Sequence, residues 1–256
     1  MRGRFPFVPA LALAFALWVA FGQIFPAAAA HPEECHSAGP LAVSDFPLAN
    51  VARALAAKHF DILVVGAGSS TLPGPSGVKN AYPARLENLL AQELPGVAVK
   101  VTIDVQSKRT AADMLKTMPS FLVASRPALV IWQTGTVDAM QSVDPDQFSA
   151  ALEQGIKAAH AVGADIVLVN SQYSPRSEST IALGTYEEDM RWVALQQQVP
   201  RFDRFSIMKL WSELGTFDLY SATKKLDIAE RVHDCIGRLL ADFVTEAAKS
   251  TEPPGK

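Results

Sequence analysis

Four apolar runs of strand length alternate with longer amphipathic stretches, and this alternation constrains the fold more than any other feature. The runs are DILVVGA, VAVKVTIDV, ALVIWQT and DIVLVNS, at 61–67, 97–105, 128–134 and 165–171. The first, third and fourth are almost continuously apolar, which is typical of parallel strands covered by helices on both faces. A weaker run, FDRFSIM at 202–208, predicts a fifth strand. The pattern predicts a three-layer α/β/α sandwich with a mainly parallel sheet.

The segments between these runs have helical periodicity. Helices are predicted at 82–94, 111–118, 145–162, 186–199 and from Asp227 to about Ala248. The last has a clear apolar stripe, which contains Ile228, Val232, Cys235, Ile236, Leu239, Leu240, Phe243 and Val244. We find no internal repeat, so we predict one domain at 59–249, an N-terminal segment at 31–58 and a disordered tail at 250–256.

The first 30 residues have the pattern of a secretory signal peptide. Arg2 and Arg4 precede a long apolar stretch, and three alanines at 28–30 supply the small residues of a cleavage site. We therefore predict cleavage after Ala30 and a periplasmic or secreted protein. An uncleaved membrane anchor is the alternative, because the apolar stretch is long for a signal peptide. No later segment has 18 uninterrupted apolar residues, so no membrane span is predicted after cleavage.

The two cysteines, Cys35 and Cys235, lie near opposite ends of the chain that follows the predicted cleavage site. In an exported protein they would form a disulfide that ties the N-terminal segment to the last helix. The alternative is a pair of buried thiols, and only the geometry of the folded chain distinguishes the two.

Charge and motif spacing exclude several classes of partner. The formal net charge is −3, loss of Arg2 and Arg4 makes it more negative, and there is no basic patch, so nucleic acid is not an expected partner. Histidines and cysteines lack the spacing of a zinc site, and we predict no metal. A glycine pattern at Gly66, Gly68 and Thr71 lacks the third glycine of a dinucleotide fingerprint, so we predict no cofactor.

The stretch VVGAGSSTLPG at 64–74 places serines at the carboxyl end of the first strand, where ligands bind in such folds. Together with AYPARLENLL (81–90), TAADML (110–115), VIWQTGTVDA (130–139), NSQYSPR (170–176) and RFSIMKLW (204–211), it resembles a periplasmic branch of the SGNH (GDSL-type) hydrolase family. The resemblance runs from about residue 61 to residue 244. It implies an α/β/α fold and ester hydrolysis by a serine, and it puts the nucleophile position at Ser70.

The same resemblance shows departures at four positions of the family's catalytic blocks. Lys108 stands at a glycine whose N–H points into the oxyanion hole, and Val137 stands at the asparagine that donates to the oxyanion. Lys224 and Asp227 stand at the aspartate and histidine of the last block. Loss of one oxyanion donor costs roughly 100- to 1000-fold in rate, and loss of a nucleophile or base about a million-fold.

These departures predict an exported hydrolase-like protein that is impaired or inactive as an enzyme and binds an ester-bearing ligand, either a lipid or an acylated sugar, or a protein partner. The alternative is an active ester hydrolase that uses Ser70, for which Lys108 is the candidate base of a serine–lysine pair. A purely structural role has no supporting motif. The substrate and the oligomeric state stay open.

Overall fold

Five strands form one parallel sheet in the order β2-β1-β3-β4-β5. They are β1 (His59–Gly66), β2 (Ala98–Val105), β3 (Leu129–Gln133), β4 (Asp165–Val169) and β5 (Arg201–Phe202). The computed structural model describes residues 1, 3, 32–221 and 225–250. Lys224, the tail from residue 251 and the predicted signal peptide except residues 1 and 3 lie outside the described residues. The predicted parallel sheet is confirmed.

Helices connect the strands and cover both faces of the sheet. The α-helices are α1 (Pro32–His36), α2 (Ala49–Ala56), α3 (Gly77–Asn80), α4 (Tyr82–Glu93), α5 (Ala111–Ser125), α6 (Thr136–Met140), α7 (Pro145–Ala161), α8 (Pro175–Thr180), α9 (Gly184–Gln196), α10 (Arg204–Glu213) and α11 (Leu226–Lys249). Short 3₁₀ turns occupy Gly39–Leu41 and Gly68–Ser70.

Successive residues of the central strands point into two separate apolar layers, as parallel strands covered on both faces require. In β1, Ile62 and Val64 pack in the layer that contains α4 and α11. Their neighbours Leu63 and Val65 pack in the layer that contains α5, α7 and α9. β2 lies at the edge and is only partly buried, which explains its more polar sequence.

Two sequence expectations were wrong in their extent. The predicted fifth strand at 202–208 ends at Phe202, because the Asp203 side chain accepts from the Ser206 N–H at 3.1 Å and begins α10. The helix predicted at 111–118 continues to Ser125 and includes Pro119. Its first turn is closed by a capping box between Thr110 and Asp113.

The N-terminal segment is attached to the sheet domain by covalent and polar contacts. Cys35 and Cys235 form a disulfide, so the predicted pairing is confirmed. The N–H groups of Asn50 and Val51 at the start of α2 donate to Asp165 Oδ2 at 2.7 and 3.0 Å. A disulfide fits a protein that works outside the cytosol. Among the described residues, none of the helices is long and apolar enough to cross a bilayer.

Candidate active site

The candidate site lies where the strand order changes direction. From β1 the chain crosses to β2 on one side and then to β3 on the other, so the loops after β1 and β3 diverge and leave a crevice at the carboxyl ends of the strands. The loop after β1 is the 3₁₀ turn Gly68–Ser70, and the loop after β3 leads into α6 through Gly135. Gly135 has φ 102°, a conformation that favours glycine.

Ser70 faces inward from this turn. It is 1% exposed, and its Oγ donates to Gln133 Oε1 at 2.5 Å. Its hydroxyl lies directly over β1, where a Cβ on Gly66 would come within 2.2 Å of the Ser70 Oγ. A glycine at 66 is therefore needed for Ser70 to occupy this position. The residue that the resemblance puts at the nucleophile position is part of the buried floor of the site.

Gln133, the last residue of β3, organises that floor. Its Oε1 accepts from Ser70 Oγ, from Tyr82 OH at 3.4 Å and from Arg204 at 2.8 Å. Three donors on one oxygen fix the orientation of the amide, so the Nε2 group points the other way. That Nε2 donates to Ser69 Oγ at 2.5 Å. The floor consequently holds the Ser69 side chain by a single amide donor.

Arg204, at the start of α10, is the charged member of the floor. It is 0% exposed and donates to Ser69 O at 2.9 Å, to Gln133 Oε1 and to Gln172 Oε1 at 3.2 Å. Its guanidinium also lies 5.5 Å from the centre of the Tyr82 ring. Burial lowers the pKa of Arg204 to about 10, so the group is still a cation at neutral pH.

Ser69 is half-buried and is the serine that reaches the crevice. Two cavities meet at Gly68 and Ser69. The larger, which we term the α6 cavity, has a volume of about 420 Å³ and is lined by Ala67, Gly68, Ser69, Ser107, Lys108, Thr136, Val137, Met140 and Gln141. The other, the α11 cavity, has a volume of about 290 Å³ and is lined by Gly68, Ser69, Thr71, Leu72, Pro73, Gln172, Tyr173, Ser174, Arg204, Met208, Leu219, Leu226, Ala229, Val232 and His233.

Lys108, at the position that the resemblance assigns to a glycine, has a backbone conformation that favours glycine. Its φ is 66°, in the left-handed region, where a side chain is strained. The residue is exposed and borders the α6 cavity beside Ser69. Its side chain is not a partner of Ser70, whose Oγ contacts only Gln133 and Tyr82 among the described residues. The structure therefore gives the predicted Ser70–Lys108 pair no support.

The α6 segment retains the structural aspartate of its block but not the amide donor. Val137 is half-buried and presents an apolar side chain to the α6 cavity. Asp138 is buried, and its carboxylate accepts from the N–H groups of Ala111 at 2.9 Å and Gly135 at 3.2 Å. Burial raises the pKa of Asp138 above its ordinary value. This carboxylate connects the loops after β2 and β3 and lies below the crevice.

The start of α11 borders the other cavity. Leu226 and Ala229 line it, whereas Asp227 between them is exposed and is not among its lining residues. Asp227 occupies the position that the resemblance assigns to histidine. The structure thus brings the first turn of α11 to the site, as expected for the last catalytic block, but without a basic side chain at that position. Lys224 falls outside the described residues.

His233 is the described histidine that borders the site, two turns along α11. It is 4% exposed, its Nδ1 accepts from the Tyr82 N–H at 3.0 Å, and its ring stacks on Tyr82. Because Nδ1 is an acceptor, the neutral ring carries its proton on Nε2. Burial is the main cause of a pKa well below the usual 6.5, and the nearby charges of Arg204 and Arg85 add to it. His233 is a neutral anchor for α4 and does not contact either serine.

Sequence reasoning missed Ser69, Gln133, Tyr82, Arg204 and His233 as parts of one site. Tyr82, Gln133 and Arg204 all lie within the segments that carried the resemblance, so their position in those segments was the available signal. Which of two adjacent serines faces the crevice depends on the geometry of the 3₁₀ turn. Among residues 32–221 and 225–250, no group of acidic, histidine or cysteine side chains is arranged to hold a metal ion.

Comparison with solved structures supports the fold. TesA aligns with a TM-score of 0.56 and 23% identity over 72% of this chain and 99% of its own. Axe2, an acetylxylan esterase from Geobacillus stearothermophilus, aligns with a TM-score of 0.58 and 17% identity over 72% and 94%. LAE5, an alpha/beta hydrolase enzyme from the metagenome of Lake Arreo in Spain, aligns with a TM-score of 0.58 and 14% identity over 75% and 97%.

The sequence itself gives the family. No curated protein matches the chain significantly. A profile of the non-GDSL lipase-like family, in contrast, matches residues 34–250, which include every described element from the disulfide to the end of α11. The predicted resemblance to SGNH hydrolases is thereby confirmed at the level of family and fold, and the chain belongs to the non-GDSL lipase-like family.

Proposed function

We propose that the protein is exported and binds an ester-bearing ligand, a lipid or an acylated sugar, in the cleft formed by the α6 and α11 cavities, with little or no hydrolysis. The observation that carries this proposal is the environment of the two serines. Among the described residues, the side-chain partners of Ser69 and Ser70 are Gln133, which takes up no proton, and Tyr82, whose pKa is raised by burial so that its phenol stays protonated. A serine hydroxyl needs a general base to attack an ester.

The cleft itself supports a binding role. The α11 cavity has apolar walls from Leu72, Met208, Leu219 and Val232, and a few polar groups converge at its inner end. Concave apolar sites with a small number of fixed polar groups are the usual form of small-molecule sites. Val137 in place of an amide donor makes the α6 cavity more apolar as well. The described residues thus form a shaped cleft in which no basic side chain is hydrogen-bonded to either serine.

The second candidate function is ester hydrolysis by Ser69. It is favoured by two observations: Ser69 borders both cavities, and Lys108 has a left-handed backbone at the position that the resemblance assigns to an oxyanion N–H. TesA and Axe2 share the fold, and Axe2 is described as an acetylxylan esterase. At 23% identity and below, these neighbours support the scaffold and not the activity.

Hydrolysis of p-nitrophenyl acetate, butyrate and octanoate by the purified protein separates the two functions. We expect the rate to equal that of a Ser69→Ala variant, because no described basic side chain is hydrogen-bonded to Ser69. A rate at least tenfold lower in Ser69→Ala than in wild type would establish the hydrolase instead. Wild type, Ser69→Ala and Ser70→Gly are compared at equal folded fraction, measured by circular dichroism.

Export is tested by the N-terminal mass of the secreted protein, which we expect to begin at His31. Retention of residues 1–30 would indicate a membrane anchor.

A further inference from the structure

The charges that line the cleft all have the same sign. Lys108 borders the α6 cavity and Arg204 borders the α11 cavity, on either side of Ser69. No aspartate or glutamate is among the described residues that line either cavity. The chain as a whole carries a formal net charge of −3, so this local excess of positive charge is opposite to the average of the protein. Such a cleft attracts anions.

Arg204 supplies a buried charge without a counter-ion. Its three hydrogen-bond acceptors are neutral carbonyl or amide oxygens, and within the described part of the chain no carboxylate forms an ion pair with it. Its Nε is buried and has no hydrogen-bond partner there. Buried cations are normally paired, because a low-dielectric surrounding screens them poorly. The positive potential of this guanidinium therefore extends into the α11 cavity, whose wall it forms.

Lys108 supplies an accessible charge at the other side of Ser69. The residue is exposed, and no described carboxylate lies within ion-pair distance of its ammonium group, unlike Lys116, which pairs with Asp113 at 2.7 Å. Its one hydrogen bond is made by the backbone, where the carbonyl accepts from Gln141 Nε2 at 3.5 Å. The ammonium group is thus available to a ligand that occupies the α6 cavity.

We propose that the ligand of this cleft is an amphipathic carboxylate: an apolar chain that packs on the walls of the cavities and a carboxylate held beside Ser69 by Lys108 and the field of Arg204. This inference rests on the proposed binding of a ligand in this cleft and assigns a free carboxylate in place of the ester of that proposal. The apolar chain is required by side chains such as Met140 and Val137 on one side and Leu219 and Val232 on the other. The anionic end is required by two cations that no described carboxylate neutralises.

Calorimetric titration of the purified protein with octanoate, 1-octanol and methyl octanoate tests the proposal, because the three probes share chain length and differ in charge. We expect octanoate to bind about tenfold more tightly than 1-octanol and methyl octanoate, and the excess to decrease as NaCl is raised from 50 to 500 mM. Lys108→Gln should weaken octanoate several-fold and leave 1-octanol unchanged. Neither glutamine nor lysine is branched at Cβ, so the left-handed backbone is equally strained in the variant and in the wild type.

The matched control is Lys157→Gln, an exposed lysine on α7 away from the cleft, which should bind all three probes as wild type does. Equal affinity for octanoate and 1-octanol, or an unchanged octanoate affinity in Lys108→Gln, overturns the carboxylate proposal while leaving the binding function in place. Failure of all three probes to bind the folded protein overturns the binding function itself. The two failures are therefore distinguishable.

Discussion

The floor of the site and the cleft above it contrast in how far their polar side chains are hydrogen-bonded to one another. In the floor, Ser70, Tyr82 and Gln133 are buried and hydrogen-bonded to one another, with Arg204 beneath them. In the cleft, Lys108 is exposed and forms no hydrogen bond with either serine. Lys108 and Val137, two of the positions at which the resemblance finds a departure, line the α6 cavity. A scaffold that positions a serine turn is thus separable from the groups that perform chemistry on it.

Replacement of Arg204 by methionine should have the largest effect, because it removes donors from three acceptors in the floor. Loss of charged hydrogen bonds to buried groups is expected to lower the free energy of unfolding by about 3 kcal/mol. Chemical denaturation measures this difference. Arg191→Met, on the exposed pair with Glu188, is the matched control and should leave the unfolding midpoint unchanged. A small effect of Arg204→Met would mean that the floor does not stabilise the fold.

His233 makes the floor sensitive to acid. In the folded protein its pKa lies well below 6.5, whereas in the unfolded chain it is ordinary. Below about pH 6.5 the unfolded chain therefore binds one more proton at this position, and the free energy of unfolding decreases by up to about 1.4 kcal/mol per pH unit. Above that pH this contribution is complete and constant.

Denaturation of His233→Asn between pH 7.5 and 5 checks this expectation. The asparagine Oδ1 can still accept from the Tyr82 N–H but does not titrate, so the variant should lose stability less steeply with acid than wild type. His160→Gln, at an exposed histidine in α7, should follow the wild-type slope. Parallel slopes for wild type and His233→Asn would show that another group controls the acid response.

The two adjacent serines test the contrast directly. Ser70→Ala removes a donor from Gln133 and leaves a small void over Gly66, so it should lower the free energy of unfolding by about 1.5 kcal/mol. Ser69→Ala removes the acceptor of Gln133 Nε2, but this acceptor lies at the cavity edge, where water can replace it, so the free energy of unfolding should fall by less than about 0.5 kcal/mol. Thermal and urea unfolding of the pair gives both numbers. Equal losses would mean that floor and cleft are one cooperative unit.

Much of the scaffold could be predicted because its signals are local. Continuous apolar runs predicted that β1, β3 and β4 are buried on both faces, and the apolar stripe of the last helix predicted the buried side of α11. FDRFSIM was misassigned because its apolar residues fit strand spacing, while the capping side chain of Asp203 begins a helix within it. The disulfide between Cys35 and Cys235 was predicted only because the protein was expected to be exported. No local pattern connects the two cysteines, since 200 residues separate them.

The site was harder to predict because its decisive contacts join distant segments. Gln133 lies 63 residues from Ser70 and 71 from Arg204 along the chain, and no local pattern marks these as partners. The choice between Ser69 and Ser70 depends on one turn of backbone, since adjacent side chains on a 3₁₀ turn diverge by about a third of a rotation. The motif identifies the turn but does not show in which direction the hydroxyls of Ser69 and Ser70 point.

The last expected effect concerns the strained Lys108 of the cleft. At φ 66°, glycine relieves the steric conflict that Lys108 accepts, and part of this gain is offset by the greater freedom of glycine in the unfolded chain. Lys108→Gly should therefore raise the free energy of unfolding by about 0.5–1 kcal/mol, measured by urea denaturation. Lys108→Ala removes the same charge but keeps a Cβ, so it should show no such gain. If both variants gain stability equally, removal of the ammonium group is the cause. If only Lys108→Gly gains stability, the backbone at this position is strained, and the lysine is retained at the edge of the cleft although it does not stabilise the fold.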